Sequence, residues 1–157
     1  MLDLYAGTGA LGIEALSRGA ARAVFVDKSD RSLRVLRQNL KTLELLDRSR
    51  VVRSAVVPAV RRLSEAAERF DLALLDPPYA NKDIQAVVEG LVASGVMAPE
   101  GTVVVETAKR HSLAPVAGLV ECDQRCYGDT RITRLRCQAP SPHSQAKQQM
   151  PSDLQDG

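Results

Sequence analysis

Leu2-Asp3-Leu4-Tyr5-Ala6-Gly7-Thr8-Gly9-Ala10-Leu11-Gly12 opens the 157-residue chain and decides how the rest is read. Met1 to Tyr5 reads as a short strand. Gly7 to Gly12 reads as a glycine-rich turn of the form G-x-G-x-x-G. A helix follows through Leu11, Ile13, Glu14, Ala15 and Leu16, and Gly19 is placed to end it. Gly7 and Gly9 let the backbone turn tightly and approach a ligand with no Cβ in the way. Strand, glycine turn and helix in that order are the opening of a parallel α/β sheet that binds an adenosine-type cofactor.

The pattern continues outward from there. Ala23 to Asp27 is an unbroken apolar run ending in an acid, as a buried parallel strand should be. Ser29 or Asp30 can cap the next helix, on which Leu33, Leu36, Leu40 and Leu43 fall at helical spacing. Val51-Val52 marks a third strand. Pro58 suits the first turn of a helix expected to end near Phe70. Asp71 to Leu75 is a fourth strand running into Asp76-Pro77-Pro78-Tyr79. Asp83 to Leu91 is a helix closed by Gly95, and Gly101 to Glu106 is a fifth strand. Leu119 to Arg125 and Thr130 to Cys137 form a closing antiparallel pair joined by Tyr127-Gly128-Asp129. Alternating strands and helices predict an α/β fold, a mostly parallel sheet with helices on both faces and a C-terminal antiparallel hairpin. After Cys137 the composition turns to Pro, Ser, Gln and His. Residues 1–137 are therefore expected to form one domain and 138–157 a disordered tail.

Bulk composition narrows the classes. Aromatics are 3% with no Trp, so the core must be built from Val, Leu, Ala and Ile. The net charge of +2 permits a nucleic-acid partner without requiring one. Cys122, Cys126 and Cys137 match neither a redox nor a zinc spacing and read as free thiols. His111 and His143 have no metal spacing, and no metal is expected. No apolar run approaches a membrane span, and a cytoplasmic protein is expected.

Two acids give the pattern its chemistry. Asp27 ends the second strand at about the 20-residue offset of a ribose-binding acid, where a carboxylate can accept both ribose hydroxyl protons. Asp76-Pro77-Pro78-Tyr79 follows the fourth strand, at the edge of the sheet where open α/β folds bind ligands. The exocyclic amine of a base is a poor nucleophile, because its lone pair is delocalised into the ring. Acceptors on its two protons make the nitrogen more tetrahedral. The Asp76 carboxylate can take one proton and the Pro77 carbonyl the other. Asp76 and Pro77 each precede a proline and are held extended, and neither proline has an N–H to compete. Tyr79 is placed to stack on a base swung out of its helix.

Asp3 lies inside a strand that a dehydrogenase keeps apolar, and Leu-Asp-Leu-Tyr-Ala-Gly-Thr-Gly resembles the first motif of class I methyltransferases. More widely, the chain resembles the bacterial 16S ribosomal RNA guanine-N2 methyltransferases, the RsmD family. The matching stretches are residues 2–12, 14–20 and 25–27, Phe70-Asp71 through Tyr79, Val105-Glu106, and Tyr127 to Thr130. The resemblance implies a class I (Rossmann-like) fold and S-adenosylmethionine as cofactor. It implies methyl transfer to N2 of a guanine in 16S ribosomal RNA, within the small subunit or its assembly intermediate, by a monomer. It carries the cofactor site onto Asp3, Tyr5, Ala6, Gly7, Thr8, Gly9, Asp27, Lys28, Ser54, Ala55 and Asp76. It carries the catalytic turn onto Asp76, Pro77, Pro78 and Tyr79. There are three departures. The family's basic segment ahead of the first strand is missing here, so an N-terminally shortened member from a late start is expected. Asp27 stands where the family usually has Glu. Ser54-Ala55 stands where an acid usually lies near the adenine.

Other readings are an adenine-N6 methyltransferase, an NAD-dependent dehydrogenase and a non-catalytic remnant. The first usually needs an inserted target-recognition region, for which the chain has no room. The second uses Gly7, Gly9, Gly12 and Asp27 but leaves Asp76 to Tyr79 idle. The third follows from the missing N-terminal segment. Arg31, Arg34, Arg37 and Lys41 along the second helix read as a solvated face. Arg131, Arg134 and Arg136 on the final hairpin are left unassigned.

Overall fold

The computed structural model describes residues 1–78 and 83–139. Its elements are β1 (Leu2–Leu4), α1 (Ala10–Ser17), β2 (Ala23–Asp27), α2 (Asp30–Thr42), β3 (Ser49–Arg53), α3 (Val56–Glu65), β4 (Phe70–Leu75), α4 (Ile84–Ala93), β5 (Met97–Ala108), β6 (Leu119–Tyr127) and β7 (Thr130–Cys137). One sheet runs in the order β3-β2-β1-β4-β5-β7-β6. β1 to β5 are parallel, while β7 pairs antiparallel with both β5 and β6. The α/β architecture with a closing hairpin is the expected one.

Strand periodicity divides the core between two faces. Leu2, Leu4, Val24, Val26, Ala73, Leu75, Val103 and Val105 pack against α3 and α4 on one side. Ala23 and Phe25 pack against Leu16, Leu33, Leu36 and Leu40 of α1 and α2 on the other. Phe25 is the largest fully buried side chain, and aliphatic residues make up nearly all the rest. β1 sits between β2 and β4, and the helices that follow β1 and β4 take opposite faces. The strand order therefore reverses beside β1, which opens a crevice at the carboxyl edge.

Local signals explain most element ends. Gly19, at φ 104°, closes α1, its N–H reaching the Leu16 carbonyl while that of Ala20 reaches Ala15. Ser29 caps α2 by accepting the Ser32 N–H at 3.2 Å. Gly95 follows α4 at φ 69°. Several boundaries differ from the sequence reading. The helix expected to reach Phe70 ends at Glu65; Phe70 instead opens β4, its N–H bonded to the Val96 carbonyl at 2.9 Å and its ring buried. Leu43 caps the end of α2 and is 52% exposed, because Glu44 turns the chain at φ 56° and tucks Leu45 under instead. Gly12 is not part of the turn but lies in the first turn of α1. In the hairpin Tyr127 pairs with Thr130, so Gly128 and Asp129 alone form the turn. Residues 79–82 and 140–157, which hold Tyr79 and nearly all of the expected tail, lie outside the described residues.

At the opposite, amino edge of the sheet, a hollow of about 1030 Å³ opens beside α1. Met1, Leu11, Arg22, Arg50, Leu72 and Leu74 are among its lining residues. None of the sequence-predicted site residues lines it. No helix of the described residues is long and apolar enough to cross a membrane.

Candidate active site

The cofactor half is built around three carbons that are absent. Gly9 adopts φ 91°, and a Cβ there would stand 2.2 Å from Leu36 Cδ1. A Cβ on Gly12 would stand 2.3 Å from the Phe25 ring and 2.8 Å from Asp3 Oδ2. These two glycines let α1 settle onto β1, β2 and α2. Gly7 differs: at φ 55°, nothing lies within 4 Å of where its Cβ would be. Its open side is room for a ligand.

Two acids then pin the loop from beneath. Asp3 is 1% exposed, and its Oδ2 accepts the Gly12 N–H at 3.0 Å. Burial pushes its carboxyl up to about 7; the Gly12 bond pulls the other way, and the charges of Asp76 and Asp27 add to the rise. Asp27 spans the loop and the next helix: Oδ2 accepts the Gly7 N–H and Oδ1 the Ser29 N–H, each at 2.8 Å. The sequence reading gave both oxygens to ribose hydroxyls. In the fold each already holds a backbone amide, and the lone pairs left over face whatever binds. Tyr5 takes the left-handed region at φ 68°, where β1 breaks into the loop, and Ala6 donates to the Val26 carbonyl at 2.9 Å.

The remaining predicted cofactor residues cluster at the same edge. Thr8 is exposed at the loop tip, and its carbonyl accepts the Asn39 side-chain amide at 3.0 Å. Lys28 is exposed just past β2. The Ser54 N–H reaches the Asp27 carbonyl at 3.0 Å, while its hydroxyl accepts from Arg62 at 2.6 Å. Ala55 is the exposed residue before α3.

The second half lies one strand away. β1 and β4 pair as Leu4↔Leu75, so Asp76 emerges beside Tyr5 and the loop. Asp76 and Pro78 are exposed, Pro77 partly so. Among the described residues no hydrogen bond engages the Asp76 carboxylate, and partial burial pushes its pKa above the ordinary carboxylate value. On its far side β4 pairs with β5 as Leu75↔Val105, which brings up Glu106, an acid the sequence reading left without a role. Burial first, then the Asp76 charge, raises the Glu106 pKa, while a hydrogen bond with Thr130 lowers it. A strand-terminal acid beside a second one was the signal that could have found it. Asn39 and Ser29 were also missed as loop supports; only the tertiary packing brings them there.

Asp3, Asp27, Asp76 and Glu106 thus gather at one edge; the charges of Asp76 and Asp27 both act on Asp3, and that of Asp76 acts on Glu106. Among the described residues no group of three or more His, Cys, Asp or Glu is arranged to hold a metal. An edge rich in carboxylates, open beside Gly7, suits an organic cation better than a phosphate. That electrostatic sense separates it from a dinucleotide site, where the glycine turn faces a pyrophosphate.

The seven-stranded order and this edge define a class I methyltransferase, and S-adenosylmethionine is the cofactor of that class. The family model described as "Conserved hypothetical protein 95" matches residues 1–136, and the chain belongs to that family, the RsmD family. It is 34% identical over 132 residues to YlbH of Bacillus subtilis (strain 168), covering 83% of this chain and 72% of that protein. It is 33% identical over 115 residues to ribosomal RNA small subunit methyltransferase D of Escherichia coli (strain K12), covering 73% of this chain and 56% of that one. A solved conserved hypothetical protein of Streptococcus pyogenes superimposes with a TM-score of 0.82 at 34% identity, covering 87% of this chain and 84% of that chain. The chain spans about half the length of the Escherichia coli relative and about three quarters of the Bacillus one. Both curated relatives carry names of ribosomal RNA methyltransferases, "Putative rRNA methyltransferase YlbH" and "Ribosomal RNA small subunit methyltransferase D".

Proposed function

We propose that this chain methylates the exocyclic N2 of a guanine in 16S ribosomal RNA, in the small subunit or its assembly intermediate. The observation that carries it is the Asp76-Pro77-Pro78 turn, one strand from the glycine loop, where the Asp76 carboxylate has no hydrogen-bond partner among the described residues. When bound, S-adenosylmethionine supplies an electrophilic methyl group on a sulfonium. Asp3, Tyr5, Ala6, Gly7, Thr8, Gly9, Asp27, Lys28, Ser54 and Ala55 are the residues that would hold it, with Asp76 at the border of the two subsites. Asp3 faces the cofactor's ammonium end and Asp27 its ribose.

Asp76 accepts one proton of the base amine and the Pro77 carbonyl accepts the other. Both bonds draw the nitrogen toward a tetrahedral shape and free its lone pair. That nitrogen would take the methyl of the bound cofactor, the N–C bond forming as the C–S bond breaks and S-adenosylhomocysteine being the leaving product. The surplus proton passes from nitrogen to Asp76, whose raised pKa suits it to receive a proton, and then to water. Most of the acceleration comes from holding the amine and the methyl in line, and from acceptors fixed before the reaction starts. Tyr79, outside the described residues, is assigned the stacking contact on the base from its position in the sequence.

The test is methyl transfer from tritiated S-adenosylmethionine to small subunits of a strain lacking the family's enzyme. Label is expected in 16S RNA as N2-methylguanine after nuclease digestion. Label on adenine N6 would overturn the guanine assignment, and unlabelled small subunits beside labelled large subunits assayed in parallel would overturn the small-subunit assignment. Calorimetric binding of S-adenosylhomocysteine with no heat from NADH is the expected control.

A further inference from the structure

Ion pairs engage Arg18, Arg50, Arg53, Arg61, Arg125 and Arg136 with carboxylates on the same surface. Among the exposed cations outside these pairs and the cofactor site, Lys109 and Arg110 lie nearest the acceptor turn along the sheet edge. Both are exposed, and among the described residues neither side chain forms an ion pair or a hydrogen bond. They follow directly on β5, whose Val105 pairs with Leu75, so they lie past Glu106 on the same edge as Asp76. With strands spaced about 4.8 Å apart and rising about 3.3 Å per residue, they stand on the order of 10 Å beyond the acceptor carboxylate.

The turn that carries them is fixed. The Lys109 N–H donates to the Asp129 carbonyl at 2.7 Å, across to the β6–β7 turn. The His111 N–H donates to the Ala108 carbonyl at 2.8 Å, and the Thr107 hydroxyl to the His111 carbonyl at 2.9 Å. Ala108, Lys109, Arg110 and Asp129 line an open hollow of about 680 Å³. Arg131 of β7 lies opposite Thr107, on the same sheet face, and its Nε is buried without a hydrogen-bond partner. The cations outnumber the one acid at the rim, Asp129.

The geometry points to Lys109 and Arg110 as a phosphate-binding lip that grips the RNA backbone flanking the base presented to Asp76, with Arg131 supporting it from behind. This rests on the ribosomal RNA reading of the site. A base brought to an edge lined by Asp3, Asp76 and Glu106 drags its phosphates toward carboxylates, which repel them; cations on that side of the turn are what the strand needs. A prebuilt turn also lets the two side chains bind with little ordering of backbone. The unpaired cations Arg34 and Arg37 of α2 fit the role less well. They lie outside β1 and β2, on the far side of the cofactor loop from Asp76.

The experiment compares the chain with the double variant Lys109→Ala/Arg110→Ala and with Arg34→Ala/Arg37→Ala. Binding of small subunits that carry unmethylated 16S RNA is measured against salt, together with methyl transfer and S-adenosylhomocysteine binding. The lip variant is expected to lower the slope of log K against log salt by about 1.5, since each lost phosphate contact removes about 0.7–0.9. Its KM for RNA should rise about tenfold with kcat within twofold, as lost ground-state binding demands, and its S-adenosylhomocysteine affinity should stay unchanged. The α2 variant should match the parent. A lip variant with the parent's salt slope and KM overturns the lip alone. A parent chain that binds no small subunits at low salt overturns the RNA reading and the lip with it. A fall in S-adenosylhomocysteine affinity would show that the turn shapes the cofactor site instead, and also overturns the lip.

Discussion

The two halves of the active edge are built in opposite ways. The half at β1 and β2 is closed upon itself. Asp3 holds Gly12, Asp27 holds Gly7 and Ser29, and Asn39 holds the Thr8 carbonyl. The half at β4 and β5 is left open. Asp76 is exposed and unbonded among the described residues, on a turn stiffened only by two prolines and strand pairing. The difference teaches what each half is for. A cofactor present in every turnover is met by a preformed cradle. The proposed substrate amine would be met by an Asp76 carboxylate that no other described residue has satisfied.

Breaking the open half should cost the most. Asp76→Asn keeps the shape but weakens the acceptor and turns one end into a donor. Turnover should fall about 10²–10³-fold, in the range seen when one preorganised polar group is lost, with S-adenosylhomocysteine affinity within about threefold. Radiolabel transfer and calorimetry read the two separately; a matching loss of cofactor affinity would mean Asp76 belongs to the closed half.

Asp27→Ala should break the closed half in the complementary way. Two backbone amides lose a charged acceptor, each such bond being worth roughly 1.5–3 kcal/mol. S-adenosylhomocysteine affinity should drop about 10–100-fold, while the rate at saturating cofactor changes little. A variant with full affinity would show the loop is held by packing alone.

The glycines sharpen the comparison further. Gly9→Ala drives a methyl into Leu36 and should destabilise the fold by about 1–3 kcal/mol. Gly7→Ala meets open space, so only its left-handed backbone is penalised, by about 1 kcal/mol. Urea unfolding of both measures the gap, and equal losses would contradict the packing described for Gly9.

The smallest effect is in pH. Asp3 has its folded pKa raised to about 7 from an ordinary 3.8. The folded state therefore binds the extra proton between those values, and Asp3's contribution to stability falls as pH rises from about 4 to 7. A cationic cofactor prefers the ionised form, so affinity for S-adenosylmethionine should rise severalfold, at most about tenfold, between pH 6 and 8. Asp3→Asn should flatten both curves. A pH-independent affinity in the parent would remove Asp3 from contact with the cofactor's charge.

Much of this was legible because the signals are local. Gly19 and Gly95 stop helices through their own backbone freedom, Ser29 caps α2 with its own hydroxyl, and Asp-Pro-Pro fixes its own turn. The misplaced boundaries failed for the complementary reason. Phe70 looks like the end of a helix by spacing, but its burial and its bond to Val96 draw it into the sheet. Leu43 keeps the apolar rhythm of α2, yet the turn at Glu44 hands its burial to Leu45. Glu106 and Lys109 carried no motif. They matter because parallel pairing of β4 with β5 sets them beside Asp76, a neighbour 30 or more residues away in sequence.

The sequence by itself determined the strand–loop–helix opening, the two acids at strand ends and the proline-stiffened turn. Each depends on backbone conformations that a few residue types impose locally. The tertiary structure decided which of these meet: that Asp27 holds the loop from beneath, that Asp3 is buried far enough to raise its pKa to about 7, and that Asp76 stands exposed one strand from the glycines. Register and burial set those relations, and both are properties of the packed sheet, not of any one stretch of chain.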